Sequence, residues 1–123
     1  MVRLTVGIAA LTGAVAVVLA ALRAHALPGR LDPASLAMVD SASTMAGWHA
    51  LALIAVAALG ERLPRRPLAW AIALFITGLV LFCGSVLTRA LLGLSLGPLA
   101  PIGGVALIGG WLVLAYTAFV ARR

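Results

Sequence analysis

The sequence predicts an all-α integral membrane protein: a bundle of four transmembrane helices, with a short amphipathic helix before the second span. It forms one transmembrane domain over residues 1–123. Two observations predict it. Hydrophobic residues make up 64% of the chain and charged residues 10%, against roughly 45–50% and 25% in ordinary globular domains. A soluble domain of this size still exposes roughly a third of its extended-chain surface, and there are too few charges here to cover it. The apolar residues also fall into four long runs, each near the ~20 residues that a helix needs to cross a bilayer. Gly, Pro and Arg separate the runs.

The first span is expected over about residues 4–24. Arg3, an apolar stretch and Ala24-His25-Ala26 resemble a signal peptide, but the run exceeds the roughly 7–15 residues of an h-region and is read as a retained helix. Ala9/Gly13 and Ala16/Ala20 are small pairs at four-residue spacing that would let a neighbour approach closely. Pro28 and Gly29 mark a turn. Asp32 then suits an N-cap and Pro33 a first helical turn. Residues 34–44 mix apolar side chains with Asp40, Ser41, Ser43 and Thr44, which reads as an interfacial helix or the upper part of the second span, expected over about 41–60. The Glu61–Pro67 loop is basic and broken by proline. The third span is expected over about 68–92, with Trp70 at the level of the aromatic belt. Gly93–Pro101 reads as non-helical. The fourth span, about 102–121, carries Gly103, Gly104, Gly109 and the small pair Ala106/Gly110.

Net charge is +6, from nine arginines, no lysine and three acids. The arginines cluster at the ends of apolar runs instead of lining one polar face. That is the distribution of a membrane protein, and it argues against nucleic acid as a partner. Arg3, Arg62, Arg65, Arg66, Arg122 and Arg123 fall on one side of four spans, and Arg23, Arg30 and Arg89 on the other. Six against three predicts both termini inside. The arginine-only, alanine-rich composition is that of a GC-rich bacterial genome, so the expected location is the bacterial inner membrane. The single cysteine, Cys83, excludes an internal disulfide and a multi-cysteine zinc site, and reads as a buried thiol.

The candidate polar cluster is His49, Arg23, His25, Asp40 and Arg89. His49 lies about eleven residues from the inner end of its span, hence roughly 16 Å deep. Ionisable groups at such depth usually face the protein interior. It is either a proton-responsive or ligand-contacting group, or a neutral histidine bonded across helices to a hydroxyl or carbonyl. Arg23, His25, Asp40 and Arg89 should stand near the outer boundary. There one or both arginines pair with Asp40 or lipid phosphate, or each snorkels to headgroups alone. Asp40 and His49 are nine positions apart, which on one unbroken helix points them opposite ways. Pro101, Gly103 and Gly104 open the fourth span. A glycine-lined helix start can receive an anion, but the favoured role is a tight turn into a close-packed helix.

Ser85 and Arg89 share a helix face, but Ser85 does not stand in a G-x-S-x-G motif, no H-E-x-x-H is present and no second carboxylate accompanies them, so nucleophilic or metal catalysis is poorly supported, and no cofactor and no metal site are expected. Haem between His25 and His49 is opposed by a difference in depth of roughly 12 Å.

Three patches together resemble the YgdD-like family of small membrane proteins (domain of unknown function 423), whose eukaryotic relatives are small mitochondrial transmembrane proteins. The first is GAVAVVLAALRAHAL, residues 13–27. The second is Ala46-Gly47-Trp48-His49-Ala50-Leu51-Ala52-Leu53. The third is Leu81-Phe82-Cys83-Gly84-Ser85, followed by Pro101-Ile102-Gly103-Gly104 and Gly110-Trp111-Leu112. The chain departs from the pattern at Arg23 and Arg89, where the family has small or apolar residues. That weighs against any ligand role tied to a neutral outer end. The resemblance implies a four-helix membrane protein and no particular activity. The function expected first is a non-enzymatic component that binds membrane lipid, another membrane protein or a second copy of itself. A small transporter or channel is the alternative, and a redox or enzyme subunit ranks last. Small multidrug carriers place a carboxylate in mid-membrane, whereas all three acids here lie near the ends of spans.

Overall fold

A computed structural model describes residues 1–60 and 62–120. Glu61 of the basic loop, the expected end of the fourth span at Ala121, and Arg122 and Arg123 of the charge count lie outside the described residues. Four helices follow in order: α1 (Val2–His25), α2 (Pro33–Ala58), α3 (Arg65–Leu92) and α4 (Leu99–Val120). All four are long and apolar enough to cross a membrane.

Local chemistry sets the helix ends. Arg23 and His25 stand in the last turn of α1, where positive charge suits the carboxyl end of the helix dipole. Gly29 turns the chain with a φ of 83°, a left-handed conformation that costs glycine little. Asp32 caps α2 as its sequence suggests: Oδ1 accepts the Ser35 backbone N–H at 2.6 Å, with Pro33 in the first turn. That backbone bond, followed by one from the Ser35 side chain, holds the Asp32 carboxyl below its usual range. Gly93, at φ 68°, ends α3 by donating its N–H to the Arg89 carbonyl.

Two expectations change. The short amphipathic helix expected before the second span is not separate; of the two readings of residues 34–44, the structure takes the one that makes them part of the second span, and α2 runs unbroken for 26 residues. At ~1.5 Å per residue α2 is about 39 Å long, so its polar first turns stand beyond a ~30 Å hydrocarbon layer without a break. The stretch Gly93–Pro101 is helical from Leu99. Pro101 falls in the first turn, where a missing N–H leaves no bond unmade, and Ile102 makes the first backbone bond, to Pro98 at 3.0 Å.

The helices pack chiefly in chain order, α1 on α2, α2 on α3 and α3 on α4, and among the described residues α1 and α4 share no comparable seam. The inner pair is accordingly the more buried. In the apolar windows of α2 and α3, 39% and 33% of residues are buried, against 17% in α1 and in α4. Small residues hold both outer helices. Gly13 faces Ala50, Gly47 faces Ala16, and the Ser43 hydroxyl donates across to the Ala16 carbonyl at 2.9 Å. On the other side Gly78, Gly103 and Gly110 bring α3 and α4 into backbone contact. The row leaves two lateral grooves. One lies between α1 and α3 over Ala46, and the other between α2 and α4 over Phe82.

Candidate functional site

The middle of the α2/α4 groove is closed by rings. His49 is 4% exposed. Its Nδ1 lies 2.8 Å from the Met45 carbonyl, one turn back on α2. A carbonyl only accepts, so Nδ1 carries the proton and donates. The Nε2 lone pair then accepts the Trp111 indole N–H, at 3.2 Å, across to α4. Phe75 of α3 lies edge-on to both, with centroids 5.3 Å from His49 and 5.1 Å from Trp111. Gly110 makes room for it, since a Cβ there would come within 2.6 Å of the Phe75 ring. Both imidazole nitrogens are thus occupied in one neutral tautomer. Interhelical bonds of this kind contribute about 0.6–2 kcal/mol in a membrane.

The partner across the helices is an indole, not the hydroxyl or carbonyl that the sequence suggested. Depth counting could have found it. His49, Trp111 and Phe75 each stand nine or ten residues from the helix ends at Ala58, Val120 and Arg65, which lie on one side of the bundle, hence at one level.

The polar cluster at the opposite end of the bundle divides. Arg23 Nε donates to Asp40 Oδ2 at 3.0 Å; the side chains are 34% and 52% exposed, so the pair is worth little more than a surface ion pair. His25 is exposed at the end of α1. Arg89 stands apart from this pair. It is exposed, and among the described residues no carboxylate lies within ion-pair distance of it. Asp40 and His49 do point to different surroundings, Asp40 to Arg23 and His49 to Trp111.

Arg89 lines a pocket of about 270 Å³ with Ser85, Ser95 and the start of α4 at Ala100 and Pro101. Ser85 stands four residues before Arg89, on the same face of α3. It proves to be 6% exposed. About one turn further along α3 and α4 lies a separate apolar trough of about 360 Å³, lined by Met45, Phe82, Gly104, Leu107 and Ile108 and ending at His49 and Trp111. The two glycines that open α4 have different surroundings. Gly103 is pressed on the Phe82 backbone, where a Cβ would collide, whereas a Cβ on Gly104 would meet only the Phe82 ring edge, at 4.0 Å.

Four apolar helices with polar side chains at one rim and one satisfied ring cluster in the middle define a small multi-pass integral membrane protein. Comparison with known proteins gives its family. The profile of the family described as "Protein of unknown function (DUF423)" matches residues 19–104. A UPF0382 membrane protein of Staphylococcus aureus is 31% identical over 118 residues, covering 95% of this chain and 96% of its own length. One from Schizosaccharomyces pombe is 40% identical over 85% of this chain and 92% of its own. The UPF0382 inner membrane protein YgdD of Escherichia coli is 28% identical over 94% and 88%. The chain belongs to the DUF423, or UPF0382, family of membrane proteins. No solved structure matches it.

Proposed function

We propose that the protein is a non-enzymatic component of the bacterial inner membrane that binds lipid, holding one hydrocarbon chain in the trough between α2 and α4. The trough carries this reading: its walls are almost wholly apolar, it stands open beside the bilayer, and side chains close it only at the His49–Trp111 level. Without a hydrophobic drive between helices in lipid, a lateral gap of this size is filled by what surrounds it. The occupied nitrogens of His49 favour a structural over a catalytic part for this residue. The inner-membrane location draws on the names of the Escherichia coli relatives. Both termini are cytoplasmic in this reading, from the six-to-three division of arginines.

Gly104→Leu tests it. The added side chain has room at its base and fills the trough without touching the α3–α4 contact. In native mass spectrometry of the detergent-solubilised protein, wild type is expected to retain one dioleoylglycerol and Gly104→Leu to lose it. Equal retention by a folded variant would rule the reading out. A reporter fused after Arg123 that was active only on the outer face would overturn the orientation.

A further inference from the structure

We infer that the pocket around Arg89 is a headgroup site for the phosphate of an anionic phospholipid, a proposal that rests on the lipid-chain reading above and names which lipid the trough takes.

The pocket and the trough lie one after the other along α3 and α4. On α3 the residues facing them are Phe82, Ser85, Val86 and Arg89, which fall on one face at three- and four-residue spacing. On α4 they are Ala100, Pro101, Gly104, Ile108 and Trp111. From Ala100 to Trp111 is roughly 16 Å of helix. A molecule seated here would meet polar donors at one end and hydrocarbon along the rest. That is the polarity of a lipid with a polar headgroup, and not of a soluble anion.

The donors suit a phosphate. Arg89 is a guanidinium with no carboxylate partner among the described residues, and its planar fork matches phosphate oxygens. The Ser85 side chain is 6% exposed, lines this pocket, and makes no hydrogen bond among the described residues. No buried side-chain oxygen is sealed off without a partner, so the Ser85 hydroxyl opens into the pocket. That hydroxyl is free to bond a molecule held in the pocket. Ser95 accepts the Gly97 N–H through its oxygen at 3.3 Å, which leaves its own proton to donate. The first-turn amides of α4, Leu99 and Ala100, precede the first helical bond at Ile102, and helix starts favour anions. No acidic residue lines the pocket. Depth also agrees. α3 is about 42 Å long, so its ends overhang a ~30 Å hydrocarbon layer by several ångströms each. Arg89, less than a turn from that end, stands where lipid phosphates lie. Basic pockets between transmembrane helices are a known way of holding anionic headgroups.

The experiment uses the full chain in detergent, with native mass spectrometry reading bound lipid. The probes are dioleoylphosphatidylglycerol, dioleoylglycerol with the same chains and no phosphate, and inorganic phosphate alone. Wild type is expected to prefer the phosphatidylglycerol to the diacylglycerol. Arg89→Gln should cut that preference about tenfold, Ser85→Ala should cut it by less, and Arg89→Lys should restore part of it. Inorganic phosphate in large excess should leave the lipid bound. Because Arg89 is exposed, its variants are expected to fold, and helical content measured by circular dichroism checks this. An unchanged preference in Arg89→Gln overturns the headgroup assignment, and displacement of the lipid by inorganic phosphate overturns it in favour of a free-anion site. Gly104→Leu separates the two readings: it should weaken both lipids alike. Dioleoylglycerol binding indifferent to Gly104→Leu sinks the chain reading, while the Arg89 comparison still decides the headgroup.

Discussion

The two outer helices are attached by the same sequence device and at different tightness. α1 lies on α2 through Gly13, Ala16 and Gly47, where an added methyl would sit at an ordinary 3.7–3.8 Å from its neighbour. α4 lies on α3 through Gly78, Gly103 and Gly110, where the same methyl would come to 2.6–2.8 Å at two sites and run into backbone at the third. Small residues along a helix face therefore mean two things. At Gly13 of α1 they are compatible with close approach, and at Gly103 and Gly110 of α4 they are required for it. The tighter seam also carries the aromatic cluster, because Gly110 is what admits the Phe75 ring between α3 and Trp111.

The largest effect should come from breaking the tight seam. Gly103→Ala is expected to lower stability by about 3 kcal/mol, at the upper end of overpacking costs, because Phe82 backbone cannot move aside as a side chain could. Gly13→Ala on the loose seam should instead be neutral or raise stability by up to about 1 kcal/mol through better helix propensity. Unfolding by sodium dodecyl sulfate in mixed micelles compares the two, and equal losses would erase the distinction between the seams. Next in size is Trp111→Phe, which leaves His49 Nε2 without its donor. A loss of about 0.6–2 kcal/mol is expected in the same titration, and no loss would mean that α2 and α4 are not tied there. Smallest is Asp40→Asn. Its exposed pair with Arg23 should be worth about 0.2–1 kcal/mol and should weaken with added salt; a loss several times larger would place that pair in the core.

Much of this was legible in the sequence, because lipid as solvent leaves few choices. Every backbone group must be satisfied within its own helix, so four apolar runs separated by Pro, Gly and Arg gave the four helices. Asp32 before Pro33 marked a cap that the structure forms. The pairing of helices was less legible. Alanine and glycine at four-residue spacing occur on both outer helices, and the difference between permitted and required contact depends on the opposing atoms: Ala50 for Gly13, and the Phe82 backbone for Gly103. The partner of His49 is not legible in the same way, because Trp111 enters the sequence reading only within a family patch and not as a donor at mid-membrane. Arg23 and Arg89 looked alike as rim charges. Only the packing order separates them, since Asp40 on α2 faces α1, while Arg89 on α3 shares its pocket with the start of α4.

The central claim is that α2 and α4 stand apart above the His49–Trp111 level with lipid chains between them. The three phenylalanines of the native chain test it together. Phe75 is 0% exposed, Phe119 is 71% exposed, and Phe82 forms the floor of the trough. With 4-fluorophenylalanine at all three positions, assigned through single Phe→Leu variants, fluorine resonances can be recorded in bilayers containing doxyl-chain lipid. The account predicts that Phe82 broadens along with Phe119 while Phe75 stays sharp. A Phe82 resonance as sharp as that of Phe75 would mean that no lipid enters between the helices and would contradict it.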